Sequence, residues 1–125
     1  MGIKMIKLSA LYFVLGVGLG MFMSISHDFA LKPVHAHVNL LGWTALTLAG
    51  ILYYLFPAAE SSMLGKIHFW LHNIGLPVMM AALAAFTYGY EKAEPLIGIG
   101  ATITSVGILL FAVNVWKNVK AGAKD

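Results

Sequence analysis

The chain is 125 residues long, 60% hydrophobic and only 10% charged, with a net charge of +3. Soluble domains carry about a quarter charged residues, so this composition excludes an ordinary water-soluble globule. Cysteine is absent, which removes disulfides, thiolate-bound zinc, iron–sulfur clusters and covalently attached haem, and all eight basic residues are lysines at the edges of apolar runs, which excludes a nucleic-acid patch.

Four windows hold no Asp, Glu, Lys or Arg: residues 8–26, 33–59, 67–90 and 95–116. About 20 helical residues cross the hydrocarbon core, and lipid requires every backbone polar group to be paired internally. The windows therefore predict an all-α integral membrane protein, one four-helix domain over 1–125 with spans at about 8–26, 33–57, 67–90 and 95–117. The first window follows Lys4 and Lys7 as a signal peptide would, but it is longer than a typical signal core and reads as a true span. Its Gly16 and Gly20, with Gly42, Ala45, Ala49 and Gly50 on the second span, are small residues suited to close helix packing. Met21, Met23, Met79 and Met80 read as core filler rather than copper ligands. Pro33 and Pro95 open the second and fourth spans, where the missing N–H is harmless. Pro77 lies inside the third and should bend it, freeing a carbonyl near Asn73.

Lysine bias sets the orientation. With both termini inside, Lys4, Lys7, Lys66, Lys117, Lys120 and Lys124 are cytoplasmic and only Lys32 and Lys92 lie outside, which places a multi-pass protein in the cytoplasmic (inner) membrane, N-in and C-in. Tyr88 and Tyr90 are then outer interfacial anchors.

Ionisable side chains within spans are functional candidates by default. His35 and His37, two apart on a helix, diverge by about 200° and cannot share one metal ion. They suit a helix wedged between two cofactors, or between one cofactor and a hydrogen-bond partner, or a pair of interfacial histidines, one wet and one bonded to a neighbouring carbonyl. His68 and His72, four apart, share one face and have the spacing of a small metal site. Starting from opposite membrane sides, the two sets should lie on the order of 20 Å apart. His68 reads as an interfacial residue beside Trp70, and His72 as hydrogen-bonded to backbone loosened by Pro77 or to Asn73 of a neighbour. His27, beside Asp28, reads as a solvated loop residue.

The run His35-Ala36-His37-Val38-Asn39-Leu40-Leu41-Gly42-Trp43, continuing through Gly50-Ile51-Leu52-Tyr53-Tyr54-Leu55-Phe56-Pro57, resembles the tenth helix of the catalytic subunit of haem-copper oxidases, most closely the C-type. The stretch from His68 to Gly75 is similar to the next helix there and in nitric oxide reductases, and that from Phe111 to Lys117 to the end of the one after. The resemblance implies a four-helix fragment of a twelve-helix subunit, with His35 and His37 as axial ligands of haem iron.

Departures from the family matter equally. A second axial ligand from another helix and the three histidines of the copper site have no counterparts here, so one chain cannot build the oxidase centre. Because the family's twelve helices form three arcs about a pseudo-threefold axis, the resemblance implies a homotrimer, with a dimer as the alternative. In such an assembly His37 of one protomer faces His35 of the next across haem b. Iron with two histidine ligands is six-coordinate and leaves no site for oxygen, so the expected role is electron transfer with a redox partner, or an oxidase-like ancestral module, and not an oxidase. The alternatives are copper handling by His68, His72 and methionines, nitric oxide sensing through a five-coordinate haem, and a structural accessory membrane subunit.

Overall fold

A computed structural model describes residues 1–122. Four long helices are present: α1 (Gly2–Ser26), α2 (Lys32–Leu55), α4 (Met63–Thr87) and α5 (Glu94–Asn118), with a one-turn helix, α3 (Pro57–Ser61), between α2 and α4. Each of the four is long and apolar enough to cross a membrane. Lys124, counted above with the lysine-rich end, lies outside the described residues.

The helix ends follow local chemistry. At the close of α1, His27 adopts a left-handed conformation (φ 53°), a region that non-glycine residues rarely occupy. Pro33 sits in the first turn of α2, Pro57 opens α3 and Pro95 sits in the first turn of α5. Ser62 caps α4 by accepting the Gly65 N–H at 3.0 Å. In α2 the stretch Val38–Thr44 is wound as a π-helix, with the Ala45 N–H bonded five residues back to Leu40 O. Within α4 the helix runs on through Pro77 without interruption.

Packing is most extensive between α4 and α5, then between α1 and α2, and the two hairpins meet through α2 and α4. The helices thus stand in a row, and α1 and α5 share no extensive contact. One core cluster gathers Met5, Leu46, Ala49, Tyr53 and Ala59 near the lysine-rich end, and the other gathers Val34, Val38, Leu76, Met79 and Met80 toward the far end. Met23, Met79 and Met80 are buried as expected of core filler, while Met21 faces outward.

Glycines decide the close approaches. At Gly42 a methyl group would meet the Tyr12 ring at 2.5 Å, and at Gly100 it would meet the Met79 backbone nitrogen at 2.6 Å. Most of each span still faces outward, with at most 33% buried in a span's apolar window. That surface requires lipid or further protein.

Candidate functional site

His35 and His37 leave α2 toward different surroundings. Half-buried, the His35 ring lies against α1, where its Nδ1–H donates to Gly16 O at 2.8 Å. Gly20 makes room for it, since a methyl group there would sit 3.1 Å from His35 Cε1. The Asn39 amide nitrogen is 3.4 Å from both ring nitrogens, too long for a strong bond to either. His37 is exposed, and its Nδ1–H donates to Pro33 O at 2.7 Å, one turn back on its own helix.

Since a carbonyl only accepts, both rings carry their proton on Nδ1 and keep the Nε2 lone pair for another partner. Metal-binding imidazoles have this arrangement, one nitrogen tied to a carbonyl and the other turned to the ion. The interfacial reading predicts one wet ring and one ring on a neighbouring carbonyl, and the contacts match that as well. The geometry therefore qualifies the pair as ligands without assigning the ion.

The other pair is placed differently from expectation. His68 is 1% exposed rather than interfacial, and Trp70, on another side of α4, is 61% exposed. The place of His68 at the start of the third span beside Trp70 points to the interface, but the inward face of α4 is set by its contact with α2 and α5, which local spacing does not reveal. His72 does bond to backbone, but to Leu41 O of the π-wound stretch of α2 at 2.9 Å, and not to a carbonyl freed by Pro77. Asn73 turns its amide back to Phe69 O within α4.

Together these residues form a continuous buried chain that the spacing did not predict. Tyr53 OH is 2.7 Å from His68 Nδ1, and His68 Nε2 is 3.2 Å from His72 Nδ1. Leu41 O accepts from His72 Nε2–H, which leaves His72 Nδ1 as an acceptor in the neutral ring. His68 Nε2–H must then be the donor, so His68 Nδ1 accepts and Tyr53 O–H donates. The three hydrogen bonds are thus fixed in one direction, Tyr53→His68→His72→Leu41.

Both imidazoles have their nitrogens occupied, which disfavours the copper reading for His68 and His72. No group of three or more His, Asp or Glu residues able to hold a metal ion occurs among the described residues. Beside the rings is an apolar cavity of about 300 Å³, lined by Leu41, Ala45, Ala49, His68, His72 and Phe111, among others.

Below Tyr53, toward the lysine-rich end, the polar contacts continue. Asn114 lies beside Tyr53. Its amide donates to Ala59 O at 3.0 Å, and its carbonyl oxygen accepts from Asn118 at 2.7 Å and stands 2.8 Å from the Ser62 hydroxyl. Tyrosine and asparagine inside apolar spans were the available sequence signals for this network, but their partners are 15 to 55 residues away.

No protein-family model and no solved structure matches the chain. Among curated proteins it is 29% identical to the Cbb3-type cytochrome c oxidase subunit CcoN1 of Stutzerimonas stutzeri, across 78% of this chain and 27% of that protein. It is 27% identical to cytochrome c oxidase subunit 1 of Synechocystis sp., across 78% of this chain and 21% of the other. It is 28% identical to cytochrome c oxidase subunit 1 of Alkalihalophilus pseudofirmus, across 82% and 20%. The chain spans between a fifth and about a quarter of the length of these relatives. With four membrane-spanning helices and these likenesses, it is an integral membrane protein resembling a fragment of subunit 1 of the cytochrome c oxidases.

Proposed function

We propose that the protein binds haem b between protomers of a homo-oligomer, a trimer by analogy with the threefold plan of the oxidase subunit, and that it carries electrons in the cytoplasmic membrane. One observation carries the reading: two imidazoles on one helix, directed to different sides, each with Nδ1–H held by a backbone carbonyl and Nε2 left to coordinate. His37 supplies the ligand from the exposed side of α2, and His35 of the adjoining protomer supplies the other. Gly16 and Gly20 position His35, the first through its carbonyl and the second by lacking a side chain. Bound haem supplies a one-electron couple at iron. The large outward apolar surface of the row of helices supports self-association in the bilayer.

Pyridine-haemochrome analysis and visible spectra of the purified protein, oxidised and dithionite-reduced, test the reading. Sharp low-spin bands are expected in the wild type, and loss of haem in both His35→Ala and His37→Ala. Co-assembly of the two variants adds a stricter arm. In a cyclic oligomer random mixing restores roughly a quarter of the interfaces, each with His37 from one chain and His35 from its neighbour. Absence of a chromophore, or wild-type haem in both single variants, refutes the proposal. A spectrum without haem but with bound copper would favour the metal-handling alternative.

A further inference from the structure

We propose that the groove between α4 and α5 at the lysine-poor end of the bundle binds one phosphatidylethanolamine molecule, with an acyl chain along α4 and the headgroup at the turn that carries Glu91 and Lys92. The proposal does not depend on haem. The groove has a volume of about 480 Å³ and no histidine in its lining. Its floor is Val78, Ala81, Ala82 and Ala85, one face of α4 at steps of three and four, and Leu96 of α5 forms a wall. Helix from Val78 to Ala85 rises about 10 Å, so the groove is a trough running from the end of the span toward its middle. Three alanines leave that trough unfilled, and Tyr90 and Lys92 stand at its mouth.

Backbone bonds hold the mouth in place. After Thr87 the chain reverses with Gly89 at φ 93°, where a side chain would be strained, and Tyr90 N–H returns to Ala85 O at 3.0 Å. Ala93 N–H bonds to Tyr90 O at 3.0 Å and closes the short 3₁₀ turn Glu91–Ala93. The Tyr88 hydroxyl donates to Asp28 at 3.1 Å and ties the reversal to the segment between α1 and α2. Lys92 is exposed and makes no ion pair among the described residues, so its ammonium is free to meet a phosphate.

Lipid tails are as apolar as alanine, so no hydrophobic force selects what lies in the trough, and any chain fills it for the dispersion contacts an empty groove forfeits. Selection falls to the headgroup. Lys92 and the Tyr90 hydroxyl suit a phosphodiester at the level where lysine and tyrosine meet the membrane surface. This end of the molecule carries Asp28, Glu91 and Glu94 against Lys32 and Lys92, a net negative charge that opposes an anionic lipid. Glu91 adjoins Lys92 and Glu94 lies two residues on, so both signs of charge occur side by side at the mouth. A zwitterionic headgroup matches both, and a primary ammonium, unlike choline, also donates hydrogen bonds to the carboxylates. Plain interfacial anchoring would use Tyr90 and Lys92 without distinguishing one headgroup from another.

Native mass spectrometry of the full chain in detergent, titrated with phosphatidylethanolamine, phosphatidylcholine or phosphatidylglycerol of identical acyl chains, tests the assignment. One phosphatidylethanolamine per chain should be held at least about threefold tighter than either competitor. Lys92→Gln should weaken it about three- to fivefold, the loss expected of one exposed ion pair. Glu91→Gln with Glu94→Gln should erase the preference over phosphatidylcholine. Ala81→Phe, which fills the trough from an exposed position, should remove the tightly held lipid, whereas Lys66→Gln at the opposite end should leave it in place. All these positions are exposed, and circular dichroism confirms that each variant folds. Equal retention of the three lipids, a preference for phosphatidylglycerol, or unchanged retention in Lys92→Gln overturns the proposal. So does a change of oligomeric state in Ala81→Phe with lipid retention intact, which would assign the groove to a second copy of the chain.

Discussion

Replacing Tyr53 by phenylalanine removes one oxygen from a fully buried ring and leaves its volume and its edge contact with Phe111 in place. What is lost is the 2.7 Å bond to His68 Nδ1, a nitrogen on a ring only 1% exposed. Leaving a buried acceptor unpaired costs about 1–3 kcal/mol. Between transmembrane helices the measured coupling of such pairs averages about 0.6 and reaches about 1.7 kcal/mol, because the separated helices also find partners. The expected loss for Tyr53→Phe is therefore about 1–2 kcal/mol. Paired with His68→Leu in a double-mutant cycle, it should show a coupling of about 1 kcal/mol. His72→Leu strands two groups, His68 Nε2–H and Leu41 O, and should cost roughly twice as much as Tyr53→Phe. Reversible unfolding in mixed micelles with rising SDS, followed by circular dichroism, measures the wild type and all four variants. A coupling below about 0.3 kcal/mol, together with His72→Leu no worse than Tyr53→Phe, would refute the directed chain as a source of stability.

Three further outcomes follow from the packing and the charges. Gly100→Ala puts a methyl group 2.6 Å from the Met79 backbone and should destabilise the α4–α5 hairpin by about 1–3 kcal/mol in the same assay, whereas Gly18→Ala, with nothing within 4 Å, should be neutral or slightly stabilising. Gly20→Val should push His35 off Gly16 O and, on the haem reading, lower haem content while helicity by circular dichroism is retained. Glu60, outside the spans, has its carboxyl held below the ordinary 4.5 by the Met1 amino group and the Gly2 N–H. A lowered folded value means the stabilisation is complete above the unfolded pKa and disappears as pH falls through the folded one. The melting temperature of Glu60→Gln should thus lie slightly below wild type at neutral pH and converge with it in acid, and an equal gap at both would contradict the ion pair.

The charge-free windows located all four spans, because in lipid a charge is costly and a helix is the only economical path for the backbone. Their ends shifted with local contacts: α1 begins at Gly2, well before residue 8, and α2 ends at Leu55, where the backbone turns before Pro57. Two-residue spacing alone sent His35 and His37 to different sides, which the contacts with α1 and with Pro33 match. Four-residue spacing put His68 and His72 on one face, but which face was a tertiary matter. The π-wound stretch has no proline or other marker within it, and the carbonyl it presents to His72 comes from 31 residues away. Local periodicity carries no information about a contact of that separation.

The widened turn at Val38–Thr44 has one more effect. Winding an extra residue into a helix retards everything beyond it by about 100° relative to regular coiling. The half of the rod bearing His35 and His37 is therefore out of phase with the half bearing Tyr53. Deleting a single residue there would restore the regular pitch while spinning the two imidazoles away from one flank or Tyr53 away from His68 on the other, so one local insertion lets both sets of contacts coexist on a single helix.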